Sequence, residues 1–363
     1  MTKEKLLLAL FYVAGAVALA AFVATKNESL MKGLTRTMDD NGDLYRFAKV
    51  RYFKVPLPEE QYPDEEIGLP RTDSVRVFMI GDSFLESCRG HKAFPVQLSA
   101  SLGEPIHVAQ AGDSAEYFDP LLLFRRAGIT KGPPRVVILE RVERYIIDDF
   151  SDPFVDVSRP PEPRLSSWEL VERRWFTDAE KNYEILWTSS TVTSPLIEWW
   201  NTACFTLLGR ISDQTPVYSL HPPFLFYEED VSHEKVNGFY YPHPDSLIED
   251  IADNIDAARM LLKERYNADL LFMAIPNAYT IYHRFVNNDA YDDYLPRLEM
   301  QLNRRGVRTI DLYRKFCESK EVVYFPTDSH WNARGAAIAL QQTLEQLSGL
   351  GWKVPPQAEK GAP

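Results

Sequence analysis

Two short segments far apart in the chain hold residue types that together make a nucleophile and its base. Gly81-Asp82-Ser83-Phe84 presents a serine directly after an apolar run, and Asp328-Ser329-His330-Trp331 presents an imidazole with a carboxylate two residues before it. A serine hydroxyl is a weak nucleophile until a base takes its proton, and a carboxylate fixes the tautomer of that base. The chemistry such a set performs is acyl transfer through an acyl-serine. Each segment also has a plainer use. Asp82 or Ser83 would serve as an ordinary helix N-cap, and Asp328 or Asn332 would cap a following helix with His330 incidental. The two segments in one chain are more specific than either alone.

The elements that must position these residues follow from periodicity. Residues 74–80 (SVRVFMI) read as a short buried strand that ends at the Gly81 turn. Glycine permits a tight turn there. Ser83 then sits at the carboxyl end of a strand, where open α/β sheets place their ligands, and backbone N–H groups at the helix start are available to an oxyanion. Further strands are expected over 106–109, 135–139, 270–275 and 307–312. Helices are expected over 94–102, 117–127, 246–265, 294–305 and 333–347, and 324–331 reads as a loop. Strands alternating with helices at this spacing predict an α/β fold with a parallel central sheet. Residues 151–245, rich in proline and tryptophan, break the rhythm and read as an insertion beside the active-site face.

Other groups carry weaker signals. The run Glu140, Arg141, Glu143, Arg144 after the third strand reads as a structural ion-pair network. His221, His233 and His243 lack the convergence a metal site needs, and no cofactor or metal is expected. Trp168, Trp175, Trp187, Trp199 and Trp200 in the insertion would stack on sugar rings if exposed, but packing is the expected role. Cys88, Cys204 and Cys317 show no C-x-x-C spacing and leave pairing open. The net charge of -12 argues against nucleic acid, whose phosphates recruit basic patches.

The first residues speak to location. Leu6 to Ala24 is free of charge, and 19 residues at 1.5 Å each span about 28 Å, close to a bilayer core. Lys3 and Lys5 precede it, which favours the N-terminus inside and the body outside the cytoplasmic membrane, in the periplasm or extracellular space. Ala18-Leu19-Ala20 resembles a signal-peptidase site but lies within the apolar run, so an uncleaved single-pass anchor is expected. The predicted organisation is an anchor over 1–27, a juxtamembrane arm over 28–73, a catalytic domain over 74–350 carrying the insertion, and a tail over 351–363.

With its serine block first and its Asp-x-His-Trp segment last on one α/β pattern, the chain resembles the SGNH (GDSL-type) hydrolase superfamily. Within it, Asp328-Ser-His-Trp331, the segment Leu139-Glu-Arg-Val-Glu-Arg-Tyr145 and the run from Ile275-Pro276 onward are similar to the alginate O-acetyltransferase group. The resemblance spans residues 74–150 and 246–345, about half of the chain. It implies a three-layer α/β/α fold, with Ser83 as nucleophile, His330 as base, Asp328 as orienting acid and Trp331 as a substrate-binding residue. Two departures stand out. Those acetyltransferases place Asp-x-His before the serine block, and ordinary SGNH hydrolases space the pair Asp-x-x-His. The superfamily's Gly-x-Asn after the third strand is replaced by Glu140-Arg141, so its asparagine oxyanion donor is missing. The N–H groups of Ser83 and Gly112 remain as donors, with Arg141 or Asn277 for a third contact. Loss of one donor costs roughly 10²–10³ in rate. The resemblance implies O-acyl transfer, chiefly acetyl, onto or off an exported polysaccharide, with the acyl group supplied through a multi-spanning membrane acyltransferase. A plain exported esterase is a second expectation, and a catalytically silent glycan-binding assembly factor a third.

Overall fold

Five strands pair side by side in the order β2-β1-β3-β6-β7, all parallel, in a computed structural model of the chain. They are β1 (Val77–Gly81), β2 (Ile106–Gln110), β3 (Arg135–Val142), β6 (Ala268–Ile275) and β7 (Arg308–Thr309). A separate antiparallel hairpin joins β4 (Val217–Leu220) to β5 (Pro223–Phe226). The structure describes residues 3–26, 34, 41–59, 75–110, 119–126, 128–153, 166, 183, 186–191 and 193–354. The chain divides into two units, one of residues 57–159 and 213–363, the other of residues 1–56 and 160–212.

In the larger unit the period of two along each strand sends alternate side chains to opposite faces. Val77, Met79, Val136, Ile138, Leu271 and Met273 pack with the helices Phe94–Leu102, Leu312–Glu318 and Ala333–Gly349. Phe78, Ile80, Val137, Leu139, Leu270 and Phe272 pack with the helices Asp245–Tyr266 and Tyr294–Arg304. Because both faces are covered, the strands read as continuous apolar runs. This is the expected three-layer architecture. The strand order reverses beside β1, so ligands are expected at the carboxyl end of β1, where Ser83 follows.

Several elements depart from expectation. β3 runs on through Glu140 and Arg141 to Val142, which pairs with Ile275, so the charge run begins within the strand. β7 is only two residues long, because Asp311 accepts a hydrogen bond from the Arg314 N–H and opens the helix Leu312–Glu318. The helix Ala278–Tyr282 after β6 and the β4–β5 hairpin were not foreseen.

In the smaller unit the apolar N-terminal run lies within one helix, Lys3–Thr25. The side chains of residues 1–10, 14, 19 and 24 lie outside the described set. Among the described residues no helix is long and apolar enough to cross a membrane, so the span expected over 6–24 keeps only its helical form here. Residues 43–54, read from sequence as part of an arm, fold against the helix Thr193–Leu208. Glu198 accepts from Tyr45 Oη (2.8 Å) and Lys54 Nζ (2.6 Å), Asn201 Nδ2 donates to the Ala48 carbonyl (3.0 Å), and Phe205 meets the rings of Tyr52 and Phe53. The expectation that the insertion tryptophans pack inside is overturned for three of them. Trp187, Trp199 and Trp200 are exposed, because the faces of their elements that find partners are the other ones. Trp168 and Trp175 lie outside the described residues.

Candidate active site

The turn after β1 is built on a close approach. A Cβ on Gly81 would lie 2.1 Å from Glu140 Oε2 and 2.6 Å from Leu85 Cδ1. Gly81 is not among the residues with positive φ, so what requires glycine is missing space rather than a left-handed backbone. Glu140, fully buried at the end of β3, accepts the Asp82 N–H at 2.8 Å. Burial, and next the charge of Asp82, push the Glu140 carboxyl well above its ordinary value, and the opposing effects of the Asp82 N–H, Arg141 and Arg144 are smaller.

Asp82 is the N-cap of the four-residue helix Ser83–Glu86 and accepts the Phe84 N–H at 3.0 Å. Its second oxygen pairs with Arg141 Nη1 at 3.1 Å, while Arg141 Nε lies 2.5 Å from Asp149 Oδ2. The plainer use of Asp82 therefore holds, and it leaves the Ser83 side chain exposed at the first helical position.

The second segment is a tight loop. A bridge joins Tyr324 to Trp331, the Phe325 N–H donates to the His330 carbonyl (3.2 Å), and the Leu225 N–H of β5 donates to the Pro326 carbonyl (2.9 Å). The cap of the following helix Ala333–Gly349 is Asn332, which accepts from the N–H groups of Arg334 and Gly335. Asp328 is thereby left to His330. Its Oδ1 lies 2.7 Å from His330 Nδ1 and accepts the His330 backbone N–H at 3.0 Å, and His330 Nε2 lies 2.8 Å from Ser83 Oγ. With the Nδ1 proton held by Asp328, Nε2 is the acceptor for the Ser83 hydroxyl.

Asp328 is itself buried, with Arg89 Nε 3.7 Å from Oδ2. Burial pushes its carboxyl up, but the His330 ring charge, the two His330 hydrogen bonds and Arg89 outweigh it and hold the group below its ordinary value. Nothing in the sequence marked Arg89, which lies six residues past the serine, or Glu140 as the ceiling of the Gly81 turn. Both roles depend on side chains that meet only after the sheet forms.

Three expected residues stand elsewhere. Trp331, expected to bind substrate, is fully buried; this is a correction, because its indole packs against the rings of Phe84 (5.3 Å) and Phe94 (5.7 Å) and has no surface to offer. The Asn277 N–H donates to Glu143 Oε2 at 2.8 Å beyond β6, two strands from β1. Arg141 is engaged by Asp82 and Asp149. Gly112 lies outside the described residues. Of the remaining charge run, Glu143 accepts from Asn277, Thr280 and Tyr291, and Arg144 pairs with Asp230 at 3.4 Å. His243 is 2.7 Å from Asp292 and stacks on Tyr294, and His233 stacks on Tyr240. No disulfide joins Cys88, Cys204 and Cys317.

No curated protein matches the chain. The α/β fold with its central parallel sheet fits an SGNH-like architecture, and residues 224–360, which include Asp328 and His330, match the family described as SGNH hydrolase-like domain, acetyltransferase AlgX.

Proposed function

We propose that this protein is an exported serine O-acyltransferase or esterase that moves acetyl groups on or off a cell-surface or exopolysaccharide through an acyl-Ser83 intermediate. The observation that carries the reading is the unbroken chain of short contacts from Ser83 Oγ to His330 to Asp328. His330 Nε2 takes the Ser83 proton as Oγ bonds to the carbonyl carbon of the donor. The tetrahedral intermediate collapses, the bond to the leaving group breaks, and the leaving group carries off the proton from Nε2. A sugar hydroxyl or water then gives its proton to Nε2, attacks the acyl-serine, and restores the Ser83 hydroxyl.

The Ser83 N–H, which no hydrogen bond among the described residues takes up, is the main-chain donor offered to the oxyanion. The Asp82 N–H is committed to Glu140. The match to an acetyltransferase domain supports acetyl as the group. The charge-free run Leu6 to Ala24 behind Lys3 and Lys5 supports an N-inside, single-pass anchor that puts the catalytic unit outside the cytoplasmic membrane, within reach of a multi-spanning donor protein.

Incubating the full chain with p-nitrophenyl acetate and mapping adducts by mass spectrometry tests the reading. One acetyl group on Ser83, absent from Ser83→Ala and His330→Ala, is the expected result. No adduct and no nitrophenol release would return the chain to the glycan-binding alternative.

A further inference from the structure

The helix Thr193–Leu208 has two opposed faces. Ser194, Glu198, Asn201, Thr202 and Phe205 lie on one, and all five meet residues 45–54, Ser194 by accepting from Lys49 Nζ at 2.7 Å. Leu196, Trp199, Trp200 and Leu207 lie on the other, centred about 180° away at 3.6 residues per turn. Among the described residues nothing covers that second face: exposure runs from 61 % at Trp200 to 80 % at Leu207. Between residues 185 and 209 the only charged side chain is Glu198, and it belongs to the covered face. Leaving such a stripe in water is unfavourable at about 25 cal/mol per Å² of apolar surface.

The same unit carries a second apolar surface. Its helix Lys3–Thr25 carries the charge-free run, and the described side chains Phe11, Tyr12, Val13, Val17 and Val23 are exposed on several sides of that helix. Tyr183 Oη donates to the Ala18 carbonyl at 2.9 Å and ties the chain leading into Thr193–Leu208 to the apolar helix. A sugar-stacking surface sets polar groups around its rings to meet hydroxyls, whereas this stripe pairs its tryptophans with leucines. Tryptophan rings settle at the level of lipid headgroups, and a helix with one apolar face lies in that plane.

We propose that the bare face of Thr193–Leu208 lies on the bilayer, with Trp199 and Trp200 at headgroup depth and Leu196 and Leu207 against the acyl chains. The proposal takes from the anchor reading only that a bilayer reaches this unit. It does not depend on the chemistry of Ser83.

The test is tryptophan quenching in the full chain, reconstituted into phosphatidylcholine vesicles brominated just below the headgroup. Wild type should be quenched, and Trp199→Phe with Trp200→Phe should remove about half or more of the quenching, since interfacial indoles dominate it. Leu196→Glu with Leu207→Glu should also reduce quenching, with Ser83 acetylation unchanged as the check on folding. Vesicle flotation with quenching the same in the Trp199→Phe, Trp200→Phe variant overturns this proposal and leaves the anchor standing; failure to float overturns both. Shielding of the two tryptophans from acrylamide by dimerisation in detergent, or by an added oligosaccharide, without lipid quenching, would assign the face to a second copy or to glycan and overturn the proposal.

Discussion

At the 326–331 loop a buried carboxyl faces a base; at the end of β3 a buried carboxyl faces another acid. Asp328 is reached by two hydrogen bonds from His330 and by Arg89, which overcome its burial and keep it ionised. Glu140 has the Asp82 N–H as donor and the Asp82 charge as a neighbour, so burial prevails and the carboxyl is pushed well above its ordinary value. Both carboxyls serve the same serine. One meets the His330 ring that reaches Ser83 Oγ, while the other supports the turn that leads into Ser83. Depth of burial alone does not distinguish them. The charges and hydrogen bonds that oppose burial do, and only around Asp328 do they outweigh it.

The comparison can be broken most sharply at the reacting pair. Ser83→Ala or His330→Ala should reduce acyl transfer by roughly 10⁴–10⁶, measured as acetyl release under single-turnover conditions. Asp328→Asn should cost about 10³–10⁴ with the fold retained by circular dichroism, because the amide can no longer hold the Nδ1 proton in place. Glu140→Gln keeps an acceptor for the Asp82 N–H, and its rate should fall by less than about tenfold. A Glu140→Gln loss as large as that of Asp328→Asn would erase the distinction drawn between the two acids.

A smaller effect tests the turn itself. Gly81→Ala should destabilise the protein by about 1–3 kcal/mol in urea titrations, because the added methyl meets Glu140 and Leu85. Combined with Glu140→Ala, the two changes should be non-additive, since removing the carboxyl makes room for the methyl.

The smallest effect is the pH signature, and the two carboxyls should show opposite signs. Glu140 is raised from 4.5, so its contribution is full below that value and is lost as pH rises through the higher folded value. Asp328 is lowered from 3.8, so its contribution is full above that value and is lost as pH falls through the lower folded one. Urea titrations at a series of pH values should therefore show wild type losing ground to Glu140→Gln as pH rises above 4.5. The gap to Asp328→Asn should close as pH falls below 3.8.

Much of the larger unit was legible in the chain. The apolar strands at 77–80, 135–139 and 270–275 and the helix beginning near residue 246 announce themselves by period, because burial on one or both faces leaves a local pattern. The Ser83 and His330 segments were legible because their chemistry needs those residue types. Trp331 misled, since an aromatic next to a catalytic candidate reads the same whether it faces substrate or core. The tryptophans at 187, 199 and 200 misled in the opposite sense.

Sequence alone determined the α/β class and the apolar N-terminal run and singled out Ser83, Asp328 and His330 as candidates, since each depends on local composition or on residue chemistry. Only the tertiary structure decided that Asn332 rather than Asp328 caps the last helix, that Gly81 yields its space to Glu140, and that the apolar side of Thr193–Leu208 is the bare one. Those outcomes depend on which side chains meet across distant elements, and contacts of that kind leave no local pattern.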